Sequence, residues 1–217
     1  MFEDVGKAAI VGDEVLFSWW LLAVNASQSA AITIVSGLPR SGTSMLMQML
    51  EAGRLPVLTD SVRASDDDNL RGYYEYEPVK SIRRDASWLQ HAEGKAVKVV
   101  YLLLKDLPIQ YQYRVIFTRR DLQEVVRSQR VMLDRRGERG ANLGSQEMIR
   151  TFQRQLKALD DWLDQRPNFR RLDVQYSDVV ADPRAQARRM AEFLGVPLDI
   201  EAMAAVVEPS LHRQRSS

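Results

Sequence analysis

The sequence contains no cysteine and only two histidines, His91 and His212. The first absence excludes disulfides, thiolate zinc sites and thiol nucleophiles. The second argues against a histidine-built metal centre, so no metal is expected. Neither sign of charge is in surplus: 30 Lys plus Arg stand against 29 Asp plus Glu, a net charge of +1. A polynucleotide binder would show a basic excess, so no nucleic-acid partner is expected. Long apolar runs are missing as well. Val15–Val24 is the most apolar stretch and is interrupted by Ser18. It is about half the roughly 20 residues that a spanning helix needs. Glu3, Asp4, Asp13 and Glu14 against Lys7 give its flank the wrong charge for an export signal. The expectation is a cytoplasmic protein without a transmembrane segment. Val15–Val24 then reads as a helix packed on the domain, with a peripheral membrane contact or a homodimer contact as alternatives.

What is present is an ordinary globular mixture, 45% hydrophobic and 27% charged over 217 residues. That suits one domain of moderate size. The basic residues are divided unevenly, 24 Arg against 6 Lys. Codon bias explains most of such a skew. A few arginines in the right places would instead clamp a compact oxyanion with their planar forks.

Three segments organise the chain: 1–30, an N-terminal helix and turn; 31–208, an α/β domain; and 209–217, a tail that could fold over a nucleotide. Within the domain, Ala31–Ser36 reads as a buried strand, and Thr43–Ala52 as an amphipathic helix. Residues 59–76 form a polar, tyrosine-rich loop. Pro78 is placed to start a helix reaching His91. Ala96–Tyr101, Arg114–Thr118 and Arg171–Gln175 read as further strands. Asp121–Arg136, Ser145–Gln165, Asp182–Leu194 and Ile200–Val207 read as helices. Asp182 caps the third of these and Gly195 ends it. Strands alternating with helices imply an α/β fold with a central, mainly parallel sheet flanked by helices.

The most informative segment is Ile32–Ser44, ITIVSGLPRSGTS. A buried strand enters a turn that opens a helix. The amides of Ser41, Gly42, Thr43 and Ser44 are expected to face one concavity, where the helix N-terminus adds partial positive charge. Such a nest suits a phosphate. The spacing of Gly37 and Gly42 matches a P-loop, but Thr43 stands where nucleoside triphosphatases carry lysine. The cation here is Arg40, inside the loop.

Gly37-Leu38-Pro39-Arg40-Ser41-Gly42-Thr43-Ser44 resembles the 5′-phosphosulfate loop of sulfotransferases, which use 3′-phosphoadenosine-5′-phosphosulfate (PAPS) and release the bisphosphate PAP. The Pro-Arg-Ser-Gly-Thr form is similar to the Golgi and bacterial branches. A second motif agrees. In the family an arginine ends a strand and a serine follows eight residues later, together holding the 3′-phosphate. Here Val115–Thr118 is the strand, Arg120 the arginine and Ser128 the serine. Arg119 is the rival, and Glu124 favours Arg120 by matching the family's acidic position. Arg71-Gly72-Tyr73-Tyr74-Glu75 extends the likeness, which spans roughly residues 31–200 and looks closest to compact bacterial members.

The resemblance implies a P-loop-containing nucleotide-binding fold and transfer of a sulfuryl group from PAPS, without a metal, to a hydroxyl or amine. The acceptor would be a small molecule or carbohydrate. Pro39, Arg40, Ser41, Gly42, Thr43 and Ser44 would hold the 5′-phosphate, with Arg40 at the bridging oxygen. Arg120 and Ser128 would hold the 3′-phosphate. Lys98 interrupts the apolar run Ala96–Val100 and matches a lysine that contacts the transferring group in the cytosolic branch. The histidine base of that branch is replaced by Val100, which leaves Asp60 and Glu75 as rival carboxylate bases. Asp66–Glu77 is the candidate acceptor wall. The alternatives are a P-loop kinase or triphosphatase, and a non-catalytic PAP-binding protein on the same fold.

Overall fold

The computed structural model describes residues 31–60, 74–137 and 144–208. The expectations for segment 1–30, for the loop through 61–73 and for the tail 209–217 lie outside the described residues. Five parallel strands form one sheet: β1 (Ile32–Gly37), β2 (Val57–Leu58), β3 (Ala96–Lys98), β4 (Tyr113–Arg119) and β5 (Phe169–Gln175). Their spatial order is β2-β3-β1-β4-β5. Among the described residues six α-helices accompany them: α1 (Thr43–Ala52), α2 (Leu122–Arg136), α3 (Ser145–Leu163), α4 (Tyr176–Ala181), α5 (Pro183–Leu194) and α6 (Ile200–Ala205).

Strand alternation divides the buried side chains between two cores. Ile32 and Ile34 of β1 join Tyr113, Val115 and Phe117 of β4 on one face, closed by Val125 of α2 and Leu159 and Leu163 of α3. Val35, Ile116 and Val174 face the other way, against Leu46 and Met49 of α1, Met190 of α5 and Met203 of α6. With β1 and β4 buried on both sides, their sequences read as near-continuous apolar runs.

The topology places the ligand end. From β1 the chain runs outward to β2, then returns to β3. From β4 it leaves toward β5 on the opposite side. β1 and β4 are neighbours, registered from Ile32↔Tyr113 to Gly37↔Thr118. A crevice opens beyond the carboxyl ends of such strands, where connections diverge, and ligands bind there in open α/β sheets.

Some elements differ from the sequence reading. The segment after Pro78 is two 3-10 turns, Glu77–Ser81 and Ser87–His91, rather than one helix to His91. Asp85 breaks it by accepting from the Ser87 amide at 2.9 Å, a local bond that competes with helix continuation. β3 is shorter than Ala96–Tyr101, because Tyr101–Asp106 coils into a 3-10 turn. β2 and α4 have too few residues for periodicity to reveal. His91 is exposed, and His212 lies outside the described residues.

Asp121 caps α2 by accepting from the amides of Gln123 at 2.9 Å and Glu124 at 3.0 Å. This helix carries Ser128, so its start fixes part of the crevice. Asp121→Ala is expected to lower stability by about 1 kcal/mol, read as a lower urea midpoint at unchanged m-value.

Candidate active site

The crevice between β1 and β4 begins with a close backbone approach. A Cβ at Gly37 would lie 2.1 Å from Thr118 Oγ1 and 2.6 Å from Ser41 Oγ. Only glycine lets the end of β1 pass so near β4. The space is taken by a hydroxyl pair: Ser41 Oγ and Thr118 Oγ1 are 2.6 Å apart. Ser41 Oγ also reaches the Leu38 carbonyl at 2.7 Å, and Thr118 Oγ1 the Ser36 carbonyl at 3.1 Å. These bonds fasten the loop after β1 to β4.

The loop then turns twice through positive φ, at Arg40 (71°) and Gly42 (107°). Gly42 is the N-cap of α1 and offers no side chain to its first turn. The orphan amides at such a helix start are donors for an anion. One expected donor is committed elsewhere: the Ser41 amide donates to the Leu38 carbonyl at 3.1 Å. Ser41 therefore braces the loop through both its amide and its hydroxyl. Pro39 sits exposed at the loop tip.

The two motifs meet directly, at Arg40. Arg40 Nε donates to Ser128 Oγ at 3.1 Å. Arg120 Nη1 donates to the Arg40 carbonyl at 3.0 Å, holding that left-handed residue in place. Arg120 Nε also donates to Glu124 Oε2 at 2.9 Å, with the two side chains only 9% and 8% exposed. The guanidinium carbon lies 4.2 Å from the centroid of the Tyr176 ring, within cation–π range. A Cβ at Gly42 would in turn meet that ring at 2.6 Å. Tyr176 is thus packed between the loop and Arg120. Its hydroxyl is pushed above the usual phenol range, chiefly by burial, and stays protonated.

Arg119 has a different setting. It donates to Asp160 at 2.6 Å and Asp173 at 2.7 Å, and its guanidinium lies over Phe117 at 4.4 Å. Burial alone would lower its pKa, but the hydrogen bonds to Asp160 and Asp173 outweigh that and raise it. Arg171 joins the same carboxylates, at 2.7 Å from Asp160 and 3.2 Å from Asp173. Adjacent strand residues point to opposite faces. Arg119 is locked on the α3 side of the sheet, and Arg120 turns to the loop.

The remaining candidates lie at the ends of the neighbouring strands. Lys98 Nζ is 3.4 Å from Ser44 Oγ in the first turn of α1. Two and four residues further along the chain, Val100 is 45% and Leu102 54% exposed. Asp60 and Glu75, taken as rivals, are brought side by side: the Asp60 amide and the Thr59 hydroxyl both donate to the Glu75 carbonyl, at 3.3 and 3.0 Å. The Asp60 carboxylate accepts from the Glu77 amide and so caps the 3-10 turn there. The Glu75 carboxylate lies 3.9 Å from Lys80. Of the candidate acceptor wall, Tyr76 packs edge-on against Trp88 at 5.6 Å, and the Tyr74 hydroxyl binds Glu51.

Tyr176 and Thr118 were not singled out from the sequence. The available signal for Thr118 was a polar residue inside an otherwise apolar strand. For Tyr176 it was an aromatic directly after the last strand.

Comparison with known proteins gives the fold and a family match over part of the chain. Residues 112–200, from β4 to the start of α6, match the model of the sulfotransferase family. The fold is shared with the sulfotransferase domain of the curacin biosynthetic pathway, at TM-score 0.52 and 15% identity over 83% of this chain and 88% of that one. It is shared equally with the sulfotransferase domain of the Synechococcus PCC 7002 olefin synthase, at TM-score 0.53 and 18% identity over 84% and 79%. No curated protein matches the sequence significantly. The protein is therefore built on the P-loop-containing nucleotide-binding fold of sulfotransferases. The family match covers residues 112–200 alone, and the likeness to the two sulfotransferase domains is one of fold.

The packing of Gly42 on Tyr176 makes a specific demand. Gly42→Ala is expected to destabilise by about 2 kcal/mol or more, since it combines a left-handed backbone with overpacking. In Tyr176→Ala the steric part of that loss should vanish, so the two changes are non-additive in a double-mutant denaturation cycle.

Proposed function

We propose that the protein transfers a sulfuryl group from PAPS to a hydroxyl or amine of a small-molecule or carbohydrate acceptor. The observation that carries this reading is the junction of Arg40, Arg120 and Ser128 at the β1–β4 crevice. It offers two guanidinium groups, a hydroxyl and a helix start to one ligand with separated anionic groups. The fit rests on this chain's own chemistry. Gly42 leaves the backbone bare where a Cβ would collide with Tyr176, and the helix start behind it lacks a side-chain cap. Thr43 in place of lysine removes the group with which triphosphatases reach β- and γ-phosphates. That disfavours the kinase reading.

PAPS supplies an activated S–O bond and carries its own leaving group. In this reading Gly42, Thr43 and Ser44 bind the 5′-phosphate with backbone and hydroxyl donors. Arg120 and Ser128 bind the 3′-phosphate, with Glu124 and Tyr176 fixing the plane of Arg120. Arg40 serves the bridging oxygen, where negative charge grows as the bond breaks. Its bond to Ser128 shows what must change: the guanidinium has to leave Ser128 for the 5′ side, or serve both phosphates from between them. Lys98, in contact with Ser44, lies on the side of the crevice nearest α1 and is assigned to the transferring group. Catalysis of this type is positioning and electrostatics.

The acceptor proton needs a base. Asp60 spends part of its carboxylate on capping, so Glu75, 28% exposed and 3.9 Å from Lys80, is the better placed of the pair. Val100 and Leu102, further along the chain from Lys98, would give the acceptor an apolar surface. A non-catalytic PAP-binding role is the second reading, favoured by the valine at position 100.

PAP is expected to raise the melting temperature, while ATP with magnesium leaves it unchanged. Absence of any PAP effect would overturn the proposal. Arg120→Ala should weaken PAP binding by roughly 10–100-fold in calorimetry, the worth of charge-assisted hydrogen bonds. Arg40→Ala should bind PAP yet release none from PAPS over a panel of hydroxylated and aminated acceptors. Wild-type binding without turnover on that panel would favour the second reading.

A further inference from the structure

β5 is an edge strand, and β4 is its only strand neighbour among the described residues. The parallel register runs from Tyr113↔Phe169 to Arg119↔Gln175, and the Tyr113 amide donates to the Asn168 carbonyl at 2.9 Å. In a parallel ladder this start assigns the backbone groups of Arg170, Leu172 and Val174 to β4. Those of Arg171, Asp173 and Gln175 point to the free side. A row of outward N–H and C=O groups is a template for another strand.

The residues along this edge are self-complementary. Laid antiparallel on itself about Leu172, the run Phe169-Arg170-Arg171-Leu172-Asp173-Val174-Gln175 sets Arg171 opposite Asp173 of a second copy, and Asp173 opposite the Arg171 of that copy. The parity is also correct. Opposed residues in an antiparallel pair must both aim their backbone groups across the interface and put their side chains on one face. Arg171 and Asp173 meet both conditions, and their mutual contact at 3.2 Å confirms the shared face. Their side chains are 20% and 38% exposed, so each can reach a partner while keeping Asp160 and Arg119. A cleft of about 580 Å³ lined by Asp164, Arg166, Phe169, Arg171 and Asp173 borders this edge and leaves room for side chains arriving from across it.

We propose that β5 pairs antiparallel with β5 of a second copy about a two-fold axis at Leu172, joining the two sheets into one. A second copy fits better than an unrelated strand, because the charge order Arg-Leu-Asp is matched by its own reverse. Such an interface is isologous and closes at a dimer. The carboxyl ends of the strands then point in opposite directions in the two subunits, and the two crevices open on opposite edges of the joined sheet.

Light scattering of the full chain is expected to give twice the 24.8 kDa chain mass. Leu172→Cys supplies a direct readout, because the chain has no other cysteine. Leu172 would face its own mate in a non-hydrogen-bonded pair about 4.5 Å apart, within disulfide reach. Mild oxidation should therefore give a covalent dimer, while Gln90→Cys, on an exposed remote turn, should not. Arg171→Asp opposes like charges twice and should raise the dimer dissociation constant at least tenfold. A wild-type chain that scatters as a monomer would overturn the proposal. So would a folded dimer in which Leu172→Cys fails to cross-link, which would place the interface elsewhere. If Arg171→Asp unfolds, the cross-linking result alone decides.

Discussion

The site depends on how closely the end of β1 approaches β4. Where Gly37 lacks a side chain, the Thr118 hydroxyl occupies the space a Cβ would need, 2.1 Å away. That contact allows the Ser41–Thr118 bond, which fastens the loop to the neighbouring strand. With the loop fastened, the Arg40 carbonyl lies within reach of Arg120, and the Arg40 side chain within reach of Ser128. A methyl group at residue 37 would separate the two strand ends, and the arginines that meet across them would lose their common geometry.

Arginine placement follows from the same strand geometry. Arg119 and Arg120 are consecutive and chemically identical, yet alternation sends them to different environments. The first is enclosed by Asp160 and Asp173 and has its charge fully answered. The second is held by the Glu124 carboxylate, the Arg40 carbonyl and the Tyr176 ring, which fix the plane of its fork at the β1–β4 crevice. Arg83, Arg84, Arg135, Arg188 and Arg189, in contrast, are exposed, as are most arginines among the described residues.

Candidates for the donor side of the proposed site can be named from the sequence more readily than candidates for its acceptor side, for a physical reason. Phosphate recognition uses backbone amides, glycines and arginines at short, fixed spacing within one strand–turn–helix unit. Gly37, Arg40, Gly42 and the pair Arg120 and Ser128 therefore announce themselves. An acceptor surface is assembled from segments far apart in the chain. Val100 and Leu102 come from a turn that sequence periodicity read partly as strand. Asp60 and Glu75 are brought together by bonds between residues about fifteen positions apart. Tyr176 escaped notice because its role exists only through the packing of Gly42 and Arg120 on its two sides.

Local chemistry was enough to read an α/β domain, its longer helices, the Asp182 and Gly195 caps of α5, and a glycine-rich strand–turn–helix unit with an arginine just beyond β4. Hydrophobic period, capping residues and turn glycines act over a few neighbouring residues, and those neighbours are written side by side in the chain. Tertiary structure alone decided the order β2-β3-β1-β4-β5, the separate settings of Arg119 and Arg120, the bond of the Ser41 amide to the Leu38 carbonyl and the capping duty of Asp60. Each of these turns on which strand lies beside which. That is settled by burying both faces of one sheet at once, a condition that no single segment of the chain can express.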